Sequence, residues 1–220
     1  MKRGTRREHV LAIDQGTTST RSMVVNATGS PVAVSHRKHR QLYPRPGCVE
    51  HDPEEIWTNV ELTVRLALRR AQVSPADLAG IGLANQGETV MAWDAETLKP
   101  LGNAIVWQCS RTSSVVERMK SDRRVGREVH RTTGLVLDSY FSATKMKWIY
   151  DNMPECRKLS RQRRLRMGTL DTWLLARMSR GSAFCTDTTT ASRTLLMDLS
   201  TGDWSPRMLD LFGVDGGWLA

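Results

Sequence analysis

The stretch HVLAIDQGTTSTRSMVVN, residues 9–26, predicts two strands joined by a tight polar turn. Residues 9–14 are an apolar run that ends in a carboxylate, which is typical of a buried strand. Residues 15–19 are small and rich in hydroxyl groups around one glycine, and residues 21–26 are again mostly apolar. A third strand is expected at residues 31–35, after a second short turn. Two closely spaced hairpins indicate an antiparallel start to a sheet.

A helix and a crossover are predicted next. Asp52 is placed to cap a helix whose first turn contains Pro53 and two glutamates. Apolar residues then recur every three or four positions, which predicts one buried face: Ile56, Val60, Val64, Ala67 and Ala71. The run GIGLA, residues 80–84, predicts a buried strand that returns parallel to its neighbour, because a helix separates the two.

The remainder of the chain predicts one more hairpin and several helices. Residues 89–93 and 103–107 flank a turn, and the pattern from Arg111 to Leu159 is mostly helical. Two further helices are expected at residues 170–178 and 204–214. The predicted fold class is α/β, with a mixed sheet opened by antiparallel hairpins and flanked by helices.

Composition limits the class of protein. The chain has 220 residues, of which 40% are hydrophobic and 25% charged, as in an ordinary water-soluble globular protein. No run of 18 apolar residues predicts a membrane span, and the short apolar run after the basic N-terminus lacks the features of a signal peptide. A cytoplasmic location is therefore expected. The net charge of +9 fits an anionic partner without choosing among nucleotide, nucleic acid and membrane surface.

Neither a metal site nor a nucleic-acid interface is favoured. The four cysteines are scattered, so neither a disulfide framework nor a structural zinc is expected. His36 and His39 stand beside basic residues, whose like charge disfavours a cation. The arginine-rich run at residues 161–166 is interpreted as a solvated helix face, because no aromatic platform accompanies it.

The turn after the first strand has the chemistry of a phosphate site. Asp14 at the end of a strand can hold Mg²⁺ directly or through water. The amides and hydroxyls of residues 17–19 can face an anion, and Arg21 adds a cation. The spacing is not that of a P-loop. A plain β-turn made of turn-forming residues remains an open alternative at this point.

In five further places the sequence resembles one family. The phosphate turn is similar to the first phosphate-binding element of actin-like ATPases, and the chain resembles the FGGY carbohydrate kinases, most closely those that phosphorylate glycerol. The matching stretches run in order along the chain: YPRPGCVEHDPEEIW (43–57), NQGETVMAWD (85–94), AIVWQCSRT (104–112), TGLVLDSYFSATKMKWIYDN (133–152) and GTLDTWLL (168–175). The resemblance implies an actin-like (RNase H-like) domain that uses ATP and Mg²⁺.

The resemblance also implies roles for individual residues. It places Asp14 near the metal. It also implies that four residues bind the phosphates of ATP: Thr17, Thr18, Ser19 and Arg21. The substrate site that it implies is formed by Gly87, Glu88, Trp107 and Tyr140. A carboxylate beside aromatic rings suits a polyol, whose C–H faces are apolar and whose hydroxyls are polar. From the residues alone, the favoured interpretation is that the two rings are core aromatics and the glutamate a surface charge.

One residue departs from the family pattern. Members that act on glycerol carry arginine at the position of Gly87. Glycine offers no donors and is expected to leave a hole beside Glu88. Losing a charged hydrogen-bonding partner costs about 1.5–3 kcal/mol of binding, so a larger polyol or sugar is an alternative substrate.

The length is the second departure. Family members are about twice as long, and their catalytic aspartate lies beyond the position of Ala220. We therefore expect a basic N-terminus (1–8) and one actin-like domain (9–220) that lacks the C-terminal kinase domain and any catalytic residue of its own. The expected activity is phosphorylation of a polyol or sugar hydroxyl. The alternative is an inactive remnant that binds polyol or nucleotide weakly. No nucleic-acid partner is expected, and a homo-oligomer of the full-length form stays open.

Overall fold

The computed structural model describes residues 8–220, so the predicted basic N-terminus lies outside the described residues except for Glu8. The strands are β1 (His9–Gln15), β2 (Ser19–Val25), β3 (Pro31–Lys38), β4 (Glu50–His51), β5 (Leu78–Asn85), β6 (Val90–Asp94), β7 (Ala104–Ile105) and β8 (Leu165–Thr169). The helices are α1 (Pro53–Ala71), α2 (Ser113–Lys120), α3 (Arg123–Thr133), α4 (Ala143–Asn152), α5 (Pro154–Arg161), α6 (Leu170–Met178), α7 (Thr188–Ala191) and α8 (Pro206–Phe212).

These elements form two compact units. The first contains residues 8–41 and 53–86, and the second contains residues 42–52 and 87–220. Each unit is built around one four-stranded sheet. No helix among the described residues is both long enough and apolar enough to cross a bilayer.

The first unit contains the predicted hairpins. Its sheet has the order β3-β2-β1-β5, with antiparallel pairing between β1 and β2 and between β2 and β3, and parallel pairing between β1 and β5. Helix α1 begins at Pro53, as the cap pattern predicts, and packs against β1, β2 and β3. The mixed sheet, its hairpins and the crossover helix are therefore confirmed.

The buried face of α1 differs from the predicted apolar stripe. Ile56, Val60 and Ala67 are buried as expected, but Asn59 and Thr63 are buried in addition, while the expected Val64 and Ala71 are only partly buried. The two polar side chains are buried because the sheet supplies partners for them. Thr63 Oγ1 lies 2.8 Å from Ser22 Oγ, and Asn59 Nδ2 donates to the carbonyl of Lys38.

The second unit contains a sheet that the sequence reasoning missed. Its order is β4-β7-β6-β8 and every pair is antiparallel. The predicted hairpin at residues 89–107 exists, but β6 and β7 share only the pair Val90 and Ile105. Five residue pairs join β6 instead to β8, whose sequence LRMGT carries an arginine and a glycine and gives little strand signal.

The prediction for the arginine-rich run was wrong. Only Arg161 lies in helix α5, because Arg163 adopts a positive φ of 57° and ends the helical path. Arg164 then pairs with Asp94, and Arg166 is already in β8, where its guanidinium lies over the ring of Phe184. The run is therefore a helix-to-strand junction held by side-chain contacts.

Candidate functional site

In the first unit, the β1–β2 turn (residues 15–19) is held by hydrogen bonds from the end of β3 and the chain beyond it. The carbonyl of Thr17 accepts from Gln41 Nε2 at 2.8 Å, and the carbonyl of Thr18 accepts from the amide of His39 at 3.3 Å. Thr18 is exposed and Ser19 is half-buried. Because the carbonyls are engaged from one side, the turn has a fixed conformation in which its hydroxyls can meet an anion.

Two buried glutamines support the same turn, and the sequence reasoning assigned neither a role. Gln15 has no solvent exposure, and its Oε1 accepts from Gln86 Nε2 at 3.0 Å. Its own Nε2 donates to the carbonyl of Gly16 at 2.9 Å. Satisfied buried amides of this kind rigidify their surroundings. The only sequence signal for them was a polar residue at the end of each strand.

Asp14 and Arg21 face each other across the hairpin. They are register partners on β1 and β2, and both side chains are exposed. They line a groove of about 320 Å³ whose remaining walls are Ala12, Ile13, Met23, Gly82, Leu83 and Ala84. The pKa of His39, whose amide donates to the carbonyl of Thr18 in the turn, is lowered mainly by burial, which favours the neutral imidazole.

Metal binding at this groove would rest on one carboxylate. Among residues 8–220, no three His, Cys, Asp or Glu side chains converge on a possible cation site. Mg²⁺ commonly keeps several waters and takes one or two carboxylates together with substrate phosphates. The exposed Asp14 therefore fits a magnesium ion that arrives with a nucleotide.

In the second unit, a chain of contacts links three of the predicted substrate residues. We call it the aromatic site, formed by Glu88, Arg193, Phe141, Tyr140 and Trp107. The rings of Trp107 and Tyr140 have centroids 5.2 Å apart, and Tyr140 packs edge-on against Phe141 at the same distance. Glu88 is 7% exposed, and its Oε1 accepts from Arg193 Nε at 2.8 Å. The site thus combines one buried carboxylate, one cation and three rings.

Lys145 holds the backbone of the aromatic site. Its Nζ donates to the carbonyls of Tyr140 at 2.6 Å and of Trp107 and Phe141 at 3.3 Å each. Burial lowers its pKa to about 8, against the attraction of Cys109, Glu88 and other acidic groups. Lys145 stands in the family-like stretch, but its acceptors are backbone oxygens that a sequence does not reveal.

An ion pair and an aromatic ring also stabilise the second unit. Arg111 donates to Glu50 Oε1 at 2.6 Å, and the arginine side chain is only 3% exposed. Its guanidinium also lies 4.5 Å from the ring centroid of Trp148. Because residue 50 and residue 111 belong to separate segments of the second unit, this pair ties those segments together.

Beside Gly87, where the sequence predicts a hole, the structure places the side chain of Arg193. A Cβ atom at this position would lie 3.6 Å from Cγ of Arg193 and 3.9 Å from its Cβ. The side chain of Arg193 therefore passes alongside Gly87 on its way to Glu88. Sequence reasoning missed this arginine because 105 positions separate it from Glu88.

Comparisons with known proteins agree on one family. The family description "FGGY family of carbohydrate kinases, N-terminal domain" matches residues 9–219. Glycerol kinase from Shigella dysenteriae serotype 1 is 45% identical over 212 residues, which are 96% of this chain and 42% of that protein. Glycerol kinase from Citrobacter koseri gives the same identity and coverage.

Solved structures agree with the sequence relatives. The Plasmodium falciparum glycerol kinase, solved with ADP, superposes with a TM-score of 0.88 at 33% identity over 96% of this chain and 42% of that one. Gluconate kinase from Lactobacillus acidophilus, at 21% identity and a TM-score of 0.83, shares the fold. The chain thus spans less than half the length of the relatives that it matches, and it belongs to the FGGY family of carbohydrate kinases, whose N-terminal domain it matches.

Proposed function

We propose that this chain supplies the phosphate-binding and polyol-binding residues of an ATP-dependent kinase that phosphorylates a hydroxyl of glycerol or a related polyol or sugar. The observation that carries the proposal is a chain of contacts. The buried carboxylate of Glu88 pairs with Arg193, Arg193 lies over the ring of Phe141, and that ring packs on the paired rings of Tyr140 and Trp107. A polyol presents apolar C–H faces to rings and hydroxyl donors to a carboxylate. The proposal includes a cytoplasmic location, where ATP is available.

On the nucleotide side, the residues of the β1–β2 hairpin bind and orient the phosphates of ATP. The turn hydroxyls of Thr17, Thr18 and Ser19 donate to phosphate oxygens, and Arg21 adds positive charge. Asp14 would hold Mg²⁺, which neutralises phosphate charge when bound. Because the turn is already held by Gln15 and its neighbours, little ordering is needed when phosphate binds.

On the substrate side, Glu88 accepts hydroxyl protons in hydrogen bonds, while Tyr140 offers a phenolic donor. Lys145 keeps the two rings in place through their own carbonyls. None of these residues is assigned as the base that removes the proton of the attacking hydroxyl. Positioning supplies much of the rate acceleration in phosphoryl transfer, and this chain would contribute that part.

The test is ADP formation from Mg-ATP over glycerol, longer polyols and ketoses, run beside a calorimetric measurement of polyol binding. We expect at least one polyol to bind to the wild-type chain. Turnover that is abolished by Asp14→Ala and kept by Glu61→Ala, an exposed acid on α1, would establish kinase activity in this chain. Polyol binding without turnover would support the binding role and the inactive alternative. Absence of both would refute the proposal.

A further inference from the structure

Arg193 presents two unused donor groups at the aromatic site. Its Nε donates to Glu88, and within the described residues its Nη1 and Nη2 donate to no protein acceptor. The side chain is 38% exposed, whereas the side chain of Glu88 is 9% exposed. A guanidinium carries five donors in a rigid plane, so fixing Nε aims the others.

Two neighbours set the direction of this guanidinium. Its central carbon lies 5.0 Å from the centroid of the Phe141 ring, which supports the plane from one side. Gly87 has no side chain, and the aliphatic stem of Arg193 lies at van der Waals distance from the position that a Cβ there would take. The guanidinium therefore stands at one end of a row of rings that continues through Tyr140 to Trp107.

From this geometry we propose that Arg193 is a specificity-determining residue that donates hydrogen bonds from its free Nη groups to hydroxyls of the bound polyol. Glu88 then acts twice, accepting from a substrate hydroxyl and orienting the arginine. A hydroxyl that bridges the two would satisfy a donor and an acceptor together, which favours substrates with adjacent hydroxyls. This inference rests on the proposed polyol-binding function.

The experiment measures polyol affinity of the 220-residue chain by ligand-observed NMR titration. The variants are Arg193→Gln and Arg193→Lys, and the ligands are glycerol, 1,2-propanediol and 1,3-propanediol. We expect both variants to weaken glycerol binding roughly tenfold, as the loss of a charged donor does. At least one diol should lose much less, because it lacks the hydroxyl that the arginine contacts.

A matched control is Arg207→Gln. Arg207 makes the same kind of contact, Nε to a glutamate oxygen at 2.6 Å, but with Glu128 outside the aromatic site. The Arg207→Gln substitution should leave polyol affinity unchanged. An equal loss for glycerol and both diols would show that Arg193 acts only by orienting Glu88, and would overturn the inference.

Failure of the inference and failure of the proposed function give different results. A wild-type chain that binds no polyol defeats the proposed function and the inference with it. A wild-type chain that binds glycerol, together with an Arg193→Gln variant of equal affinity, defeats the inference alone. Thermal unfolding of each variant checks that it is folded, and Arg193→Lys retains the charge beside Glu88 if the glutamine variant does not fold.

Discussion

Nζ of Lys145 lies 2.6 Å from the carbonyl oxygen of Tyr140, in a position where the lysine has no solvent exposure. The same ammonium group reaches the carbonyls of Trp107 and Phe141. A single buried cation thus fixes the backbone of all three rings of the aromatic site. The side chain carries a cost, because a charged amine is removed from water, and its consequences are measurable.

Lys145→Met should lower the free energy of unfolding at pH 7 by about 2 kcal/mol. Three buried or partly buried carbonyls lose their donor, while relief from burying the charge offsets part of that loss. Urea unfolding followed by circular dichroism measures the change. The control is Lys147→Met on the same helix, where an exposed pair with Asp151 is worth about 0.5 kcal/mol. Equal losses in the two variants would contradict the buried role of Lys145.

Stability should also depend on pH through Lys145. Its pKa is about 8 in the folded chain and about 10.4 when unfolded, so between these values the unfolded chain holds a proton that the folded chain has lost. Lys145 therefore makes the free energy of unfolding increase as pH rises from 8 to 10. Below pH 8 it is protonated in both states and adds no pH dependence. The difference between wild type and Lys145→Met should widen over this interval. A constant difference would show that the pKa is not lowered.

Asp14→Asn and Arg21→Gln should affect nucleotide binding differently. Losing the Asp14 carboxylate should abolish the strengthening of ATP binding by Mg²⁺, and should leave binding in EDTA unchanged or tighter. Losing the Arg21 cation should weaken binding in both conditions by about 1 kcal/mol, roughly fivefold. Calorimetry with and without Mg²⁺ separates the two. If both variants respond alike to the metal, Asp14 does not hold it.

Tyr140→Phe should weaken polyol binding about fivefold and leave the fold intact. The variant keeps the ring that packs on Trp107 and Phe141 but loses a hydroxyl worth about 1 kcal/mol in a neutral hydrogen bond. Tyr150→Phe is the control, because Tyr150 stacks on Trp218 instead. NMR titration with glycerol gives both affinities. Unchanged binding by Tyr140→Phe would remove the hydroxyl from the proposed contacts.

Arg111→Gln should be the most destabilising of these variants, by about 3 kcal/mol. It leaves the Glu50 carboxylate without its buried partner and removes the cation from the Trp148 ring. Arg124→Gln, which breaks the exposed pair with Asp122, should cost less than about 1 kcal/mol. Denaturant midpoints compare the two. Similar midpoints would mean that the buried pair adds no more than a surface pair.

Local signals in the sequence predicted the first unit well. The cap pattern at Asp52 and Pro53 predicted where α1 begins, and the small residues after Asp14 predicted the β1–β2 turn. Such features depend on neighbours within a few residues, which a sequence displays directly. Strand β8 was missed because its identity depends on pairing with β6, more than 70 positions earlier. Long-range pairing leaves little trace in the composition of a five-residue segment.

The candidate site was also predictable only in part, because some of its contacts join residues that are far apart in the sequence. The family resemblance pointed to the carboxylate of Glu88 and the rings of Trp107 and Tyr140 as polyol-binding residues, and the structure brings the two rings together. Arg193 and Lys145 were not assigned roles, because one acts across 105 positions and the other through backbone oxygens. Residue type alone does not distinguish these two from exposed cations.

The second unit consists of two segments that are separated in the sequence, and this affects the order in which the units fold during synthesis. Strand β4 (residues 50–51) belongs to the second unit and joins its sheet by pairing with β7. In the sequence, however, it stands between the two segments of the first unit. During synthesis it leaves the ribosome about 50 residues before β7. At roughly 5–20 residues per second, it waits about 3–10 seconds for its partner. The first unit can close around its own hairpins during that delay, so the order of synthesis favours folding it first.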